Sequence, residues 1–260
     1  MRTIHVIGIG AGDPDYVTRQ AIAALNDTEV FFAMDKGGRT RGGNEAGGKD
    51  DLVALRRLIC ERFIETPGYR FVELPDPQRA RAADGPAYHD AVAQWHAARA
   101  RLWAQAIETE LGADGVGAFL AWGDPSLYDS TLRILDRVAE HVEFEFDVIP
   151  GITAIQALTA RHRIPLNDIG EPVLITTGRQ LREHGLDGAA VVMLDSECSF
   201  SGCAPTTRIW WGAYLGTPDE ILIAGTVGGV GQQIAALRAE ARQQHGWIMD
   251  IYLLRADSSA

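Results

Sequence analysis

Residues 122–128 read Trp-Gly-Asp-Pro-Ser-Leu-Tyr, and residues 10–14 read Gly-Ala-Gly-Asp-Pro. Each Gly-Asp-Pro follows an apolar run, Ile4-His-Val-Ile-Gly-Ile9 in one case and Val116-Gly-Ala-Phe-Leu-Ala121 in the other. Such runs read as strands buried on both faces. Helical spacing follows each turn: Val17, Ala21, Ile22 and Leu25 within 14–25, and a second pattern over 126–141. Asp13 and Asp124 stand as N-caps, with Pro14 and Pro125 as first helical residues. Strand, glycine turn and helix, twice over, indicate a parallel sheet. Ligands bind at the carboxyl edge of such a sheet, so the two turns would line one crevice. Glycine there lets backbone approach a ligand, and a helix start offers unpaired N–H groups.

Further strands read at 29–34, 69–74 and 144–149, with helices at 51–64 and 86–111. The long helix places Val92, Trp95, Leu102 and Ile107 inward. Residues 36–50 and 75–86 read as loops, the first glycine-rich and mobile. Pro150-Gly151 reads as a hinge. Beyond it come a helix at 152–161, strands near 172–177, 189–194, 207–211, 221–225 and 248–254, and a helix over 229–244. The expected fold is α/β, with an N-terminal α/β domain over 1–149 and a C-terminal α/β domain over 150–260.

The chain has 260 residues, 46% of them hydrophobic, and a net charge of −11. That is ample core material and a poor match to nucleic acid or anionic membranes, which need clustered cations. Cys60, Cys198 and Cys203 form no CxxC pair, which fits reduced thiols better than a disulfide framework or a zinc site. His89, His96, His162 and His184 include no i, i+4 pair, so no metal is expected. No apolar run approaches the roughly 20 residues of a membrane span, and the start is too short and glycine-rich for a signal peptide. A cytoplasmic protein is expected.

One alternative reading is a nicotinamide-binding turn, with Asp35 at the end of the second strand as the ribose ligand. The Gly8-Ile-Gly-Ala-Gly12 spacing departs from G-x-G-x-x-G, and Asp13 would set a negative charge beside a pyrophosphate. An acid there suits ammonium or hydroxyl groups better. A tight turn without a ligand is the other alternative.

Three motifs occurring together narrow the choice: residues 6–18, residues 122–128 and Val148-Ile-Pro-Gly-Ile-Thr-Ala154. In that order and spacing the chain resembles the tetrapyrrole methylases, S-adenosylmethionine-dependent methyltransferases of corrin and sirohaem synthesis, with diphthine synthase among them. Residues 32–38, 59–64, 73–84, 95–100, 120–135 and 160–179 resemble the branch that converts precorrin-5 to precorrin-6A in aerobic cobalamin synthesis. The resemblance implies methylation at ring carbon 1, release of the extruded acetyl group as acetate, and S-adenosylhomocysteine as the second product. Another ring position or a diphthamide substrate is the alternative within the family.

The family's architecture implies two α/β domains with the active site in the cleft between them, and a homodimer formed through the second domain. Carried onto this chain, Gly10, Ala11 and Gly12 border the site. Trp122, Gly123 and Asp124 meet the methionine end of the cofactor, with Leu127 packing nearby. Thr153 and Ala154 add contacts, Leu194 packs against adenine, and Gly216 offers backbone. For deacetylation Asp35 is the first candidate, followed by Tyr128, with Asp124 and Glu171 also near. A polycarboxylate substrate needs cations, drawn from Lys36, Arg39, Arg41, Arg161, Arg163, Arg179 and Arg182. Lys36, Arg161 and Arg179 lead that group, since arginine binds carboxylates bidentately.

Overall fold

The computed structural model describes residues 1–35, 50–78 and 86–256, and of residues 35, 50–53 and 86–89 the backbone alone. Lys36, Arg39 and Arg41 lie outside the described residues. The chain forms two compact units. The first takes residues 1–10 and 14–152, and the second takes residues 11–13 and everything from Thr153 onward, as far as each is described.

The first unit holds β1 (Thr3–Gly8), α1 (Arg19–Asp27), β2 (Val30–Asp35), α2 (Asp50–Phe63), β3 (Arg70–Pro75), α3 (Pro86–Glu110), β4 (Val116–Ala121), α4 (Thr131–Val138) and β5 (Glu145–Ile149). All five strands run parallel, in the order β3-β2-β4-β1-β5. Side chains alternate between faces along each strand. Ile4, Val6, Phe32 and Phe119 join Trp103 and Ile107 of α3 and Ile134, Leu135 and Val138 of α4 in one core. Ile7, Phe31, Ala118 and Leu120 join Ala21 and Leu25 of α1 and Ile59 and Cys60 of α2 in the other. Both faces of β1, β2 and β4 are covered, which is why these strands read as apolar runs, while the edge strands β3 and β5 are more exposed.

This topology explains the repeated turn. β1 and β4 are neighbours in register, Gly8 beside Ala121. The chain leaves β1 for α1 on one face and leaves β4 for α4 on the other. Adjacent strands whose connections part to opposite faces make the switch point of an open parallel sheet, where a crevice opens at the carboxyl edge.

Two helix starts differ from the sequence reading. α1 begins at Arg19, capped by the Thr18 hydroxyl, which accepts from the Ala21 N–H at 3.1 Å; residues 14–16 make only a short 3-10 turn. α4 begins at Thr131, whose N–H donates to the Asp129 carboxylate at 2.6 Å. Tyr128 has φ +51°, which no right-handed helix can run through, so the expected helix over 126–141 shortens. Asp13 and Asp124 therefore cap neither helix. In α3 the inward stripe is Ala100, Trp103, Ala104 and Ile107, while Val92, Trp95 and Leu102 are half-buried. Trp103 stacks on Phe119 with centroids 4.1 Å apart and donates its indole N–H to the Met34 sulfur.

The second unit holds α5 (Ala154–His162), β6 (Val173–Thr177), α6 (Gly178–His184), β7 (Ala189–Met193), β8 (Arg208–Ala213), β9 (Ile221–Thr226), α7 (Val227–His245) and β10 (Asp250–Arg255). Its sheet has the order β6-β7-β10-β8-β9, with only β6 and β7 parallel. Val192, Ile209, Trp211, Tyr252 and Leu254 form its core with Leu181, Phe200 and Ile234. The short helix α6 carries too few apolar residues to be visible in the sequence pattern.

Trp103→Ala removes a fully packed aromatic, a change that costs about 3–5 kcal/mol. The expected fall in Tm is about 10 °C, measured by thermal melting; an unchanged Tm would contradict this packing.

Candidate functional site

Three stretches of backbone meet at the carboxyl edge of the first sheet. Past the strand ends, Gly10 and Gly123 exchange both hydrogen bonds, Gly10 N–H to Gly123 O at 3.2 Å and Gly123 N–H to Gly10 O at 2.8 Å. The chain after β5 presses onto the same point. A Cβ on Gly151 would lie 1.9 Å from the Gly123 carbonyl oxygen and 2.8 Å from Gly8 backbone. Only glycine permits that approach.

Asp124 ties the point together. One carboxylate oxygen accepts from the Gly151 N–H at 2.8 Å. The other accepts from the Ser126 N–H at 2.8 Å and from the Ser126 hydroxyl. Burial works against its charge, but the Ser126 hydroxyl, the Gly151 N–H and the Ser126 N–H together hold its carboxyl below the usual range. The side chain is a strap rather than a helix cap, and it is a weak base. It thus fits poorly as a proton acceptor for deacetylation.

In the second unit Gly12 and Gly216 come together. Gly12 has φ +131°, and a Cβ there would lie 2.1 Å from the Leu215 carbonyl oxygen. The Gly216 N–H donates to one Glu220 oxygen at 2.9 Å, and the Arg161 Nε–H donates to the other at 2.6 Å. Ala11 is buried. The glycines of the first turn thus admit the protein's own chain. α1 starts well beyond the turn, so no helix N-terminus is aimed from it at a phosphate. The geometry a dinucleotide pyrophosphate needs is missing.

The remaining expected cofactor contacts are placed as follows. Thr153 caps α5 through a reciprocal pair with Gln156, and Ala154 is the first helical residue. Leu194 follows β7 with φ +54° and is 68% exposed. Leu127 is half-buried in the turn, its N–H donating to Asp124 O. Trp122 carries the most informative atom. Its indole nitrogen is buried and has no hydrogen-bond partner among the described residues. An unpaired buried donor costs about 1–3 kcal/mol, and a ligand acceptor would recover it. A carboxylate or ribose oxygen of S-adenosylmethionine fits that need.

Tyr128 lines a cavity of about 360 Å³ that sequence reasoning missed. Arg99 on α3 pairs bidentately with Asp76, at 2.8 and 2.6 Å, and lies 3.9 Å over the Trp95 ring. The Trp95 indole N–H donates to Pro77 O at 2.9 Å. The available signal was the i, i+4 spacing of Trp95 and Arg99 on one helix. Burial pushes the Tyr128 phenol above its ordinary pKa, so it stays protonated at neutral pH. Arg56, also missed, reaches from α2 to donate to Leu120 O at 3.1 Å, at the end of β4.

The backbone of Asp35 closes β2 opposite Pro75; its side chain lies outside the described residues. Glu171 is exposed. Arg179 is half-exposed and 3.9 Å from Glu183. Burial pushes the Cys60 thiol up to about 12 and raises those of Cys198 and Cys203, so none offers a ready thiolate nucleophile. Among the described residues no three His, Cys, Asp or Glu side chains gather as a metal site.

Gly151→Ala forces backbone apart at Gly123 and at Gly8, and the expected loss exceeds about 3 kcal/mol. Gly202→Ala, where a Cβ meets nothing within 4 Å, should shift Tm by less than about 2 °C. Asp124 has a depressed folded pKa, so its stabilisation is present above the unfolded value and is lost as pH falls through the folded one. Asp124→Asn should therefore flatten the acid limb of a stability-against-pH curve; an unchanged limb would contradict the strap.

Comparison with known proteins gives a consistent answer. The tetrapyrrole (corrin/porphyrin) methylase model matches residues 3–231. Precorrin-6A synthase [deacetylating] of Sinorhizobium sp is 49% identical, over 98% of this chain and 95% of that protein. Precorrin-2 C(20)-methyltransferase of the same source is 29% identical over 62% of this chain and 58% of that protein. A crystal structure of a cobalamin synthesis related protein (CobF) from Corynebacterium diphtheriae superposes with TM-score 0.82 at 43% identity, covering 98% of each chain. Uroporphyrin-III C-methyltransferase from Thermus thermophilus, complexed with S-adenosylhomocysteine, shares the fold at TM-score 0.58 and 17% identity, over 97% of each chain. With its glycine-strapped carboxyl edge and full-length likeness, the chain belongs to the tetrapyrrole (corrin/porphyrin) methylases, a family of S-adenosylmethionine-dependent methyltransferases.

Proposed function

We propose that the protein methylates precorrin-5 at ring carbon 1 and releases the extruded acetyl group as acetate, giving precorrin-6A in aerobic cobalamin biosynthesis. The observation that carries this reading is the 49% identity, across nearly the whole of both chains, to a deacetylating precorrin-6A synthase. Methylation at another ring position has weaker support, at 29% identity over 62% of the chain.

S-adenosylmethionine supplies a methyl group on a sulfonium, already a good leaving group, so transfer needs positioning more than a strong base. Gly10, Ala11, Gly12, Trp122, Gly123, Asp124, Leu127, Thr153, Ala154, Leu194 and Gly216 are proposed to hold it. The Trp122 indole N–H donates to an acceptor at its methionine end. Asp124 acts through the Gly151 backbone. Thr153 has its hydroxyl engaged in the α5 cap and offers backbone. Leu194 presents an apolar surface to the adenine.

Deacetylation is hydrolysis. Water adds to the acetyl carbonyl and gives one proton to a base, the bond from that carbon to the ring breaks with its electron pair left on the macrocycle, and the acetic acid formed departs as acetate with a second proton lost. A base for the water and a donor to the carbonyl oxygen both lower that barrier. Asp35 is the proposed base. Tyr128, kept protonated by burial and 44% exposed, is the proposed donor. Lys36, Arg161 and Arg179 are proposed to meet substrate carboxylates; Arg161 must then exchange its Glu220 partner.

The proposed setting is a homodimer in the cytoplasm. The three free cysteines suit a reducing compartment. Ile169, fully exposed, and Leu174 on the edge strand β6 offer exposed apolar side chains on the second unit. Sedimentation of the purified protein tests the dimer, which a monomer at micromolar concentration contradicts.

Turnover of precorrin-5 with methyl-labelled S-adenosylmethionine should give one acetate per methyl transferred. Methyl transfer without acetate would overturn the reading. Asp35→Asn should slow acetate release about a hundredfold, and unchanged release removes Asp35 from the mechanism. Arg179→Glu should raise KM for precorrin-5 about tenfold with cofactor affinity unaltered; an unchanged KM removes Arg179 from the substrate site.

A further inference from the structure

Leu194 is an unusual residue to find in a left-handed conformation. It has φ +54°, it is branched and apolar, and 68% of it is exposed. Glycine or asparagine would take that conformation with less strain. Strain of this kind persists only where the surroundings impose it, and it gathers at ligand clamps.

The surroundings are visible one residue later. Asp195 is buried and its carboxylate is fully subscribed. One oxygen accepts from the Tyr252 hydroxyl at 2.7 Å and from the Ser199 N–H at 2.6 Å. The other accepts from the Ser199 hydroxyl at 2.7 Å and from the Glu197 N–H at 3.0 Å. Its backbone carbonyl accepts from the Arg238 guanidinium. Arg238 is fixed in turn by Asp250 at 2.9 Å, and Asp250 accepts from the Trp211 indole at 2.9 Å. The carboxylate lies hard against α6: a Cβ on Gly178 would come within 2.2 Å of it. Groups from β10, α6, α7 and the turn after Cys198 thus meet at the residue that follows Leu194, with β8 tied in through Asp250. Burial opposes the Asp195 charge, yet the four donors hold its carboxyl below the usual range.

We propose that Asp195 is a positioning residue for the cofactor, locking the peptide that holds Leu194 in its left-handed conformation as an apolar platform for the adenine ring. This rests on the methyltransferase reading above. A leucine left 68% exposed adds little apolar burial to the fold. It gains once a flat apolar ring covers it. Because adenine is remote from the transferred methyl, the platform contributes uniform binding, which sets KM rather than kcat.

The test is calorimetric titration with S-adenosylhomocysteine across a mutant cycle. Leu194→Ala should weaken binding about tenfold, the order expected when a buried leucine contact is lost. Tyr252→Phe, which deletes one anchor and keeps the ring, should weaken it about threefold to fivefold. It should raise KM for S-adenosylmethionine while kcat moves less than about twofold. Leu194→Met should keep wild-type affinity. In the Leu194→Ala background Tyr252→Phe should have no further effect on affinity, because the anchor acts through Leu194. Independent, multiplying effects would overturn the proposal, as would a Tyr252→Phe protein with lower Tm and wild-type affinity. If wild-type protein itself fails to bind S-adenosylhomocysteine, the methyltransferase reading falls instead.

Discussion

The contact between Gly151 and the Gly123 carbonyl is the constraint on which the candidate site depends. It brings the ends of β1, β4 and β5 closer than any side chain allows. Parallel strands are held side by side by their ladders, but nothing in a ladder fixes the loops beyond it. Here the fixing is done by backbone exchange between Gly10 and Gly123 and by one carboxylate, that of Asp124. The carboxyl edge is thereby held together by the protein's own groups. That suits a reaction whose barrier is lowered by holding two reactants in line rather than by strong acid or base groups.

A similar device recurs in the second unit with different parts. Asp195 stands just beyond β7 as Asp124 stands just beyond β4, and each has both carboxylate oxygens occupied by its own protein. Neither is placed as a general base. Both convert burial and hydrogen bonding into backbone geometry, and both are held ionised by donors that outweigh burial. Asp124, the acid visible in the second motif, is thus architectural, and acid–base chemistry is proposed to fall to Asp35 and Tyr128 instead.

Most of the fold was legible in the sequence. Among the described residues the ten strands lie within two residues of the expected runs, because strands, parallel or antiparallel, read as short β-rich segments bounded by turn residues. The starts of α1 and α4 were not legible, and the reason is specific. Asp followed by Pro is a good local cap signal, but Asp124 is used across the sheet, by Gly151, rather than by its own helix. Thr18 and Asp129 carry the weaker signal and do the capping. Long-range use of a side chain leaves no mark at short spacing. Arg99 with Asp76, and Asp195 with Tyr252, were hidden for the same reason. The family motifs pointed to the carboxyl edge of the first sheet, where the glycine backbones meet, while the buried indole nitrogen of Trp122, with no partner among the described residues, could only be seen in the folded chain.

The central claim is that this carboxyl edge takes S-adenosylmethionine and not a dinucleotide. Calorimetric titration of the purified protein with S-adenosylhomocysteine, and separately with NAD, tests it most directly. The account predicts saturable one-to-one binding of S-adenosylhomocysteine, weakened in Trp122→Phe, and no heat from NAD. Binding of NAD alone would contradict it and restore Asp35 as a ribose ligand.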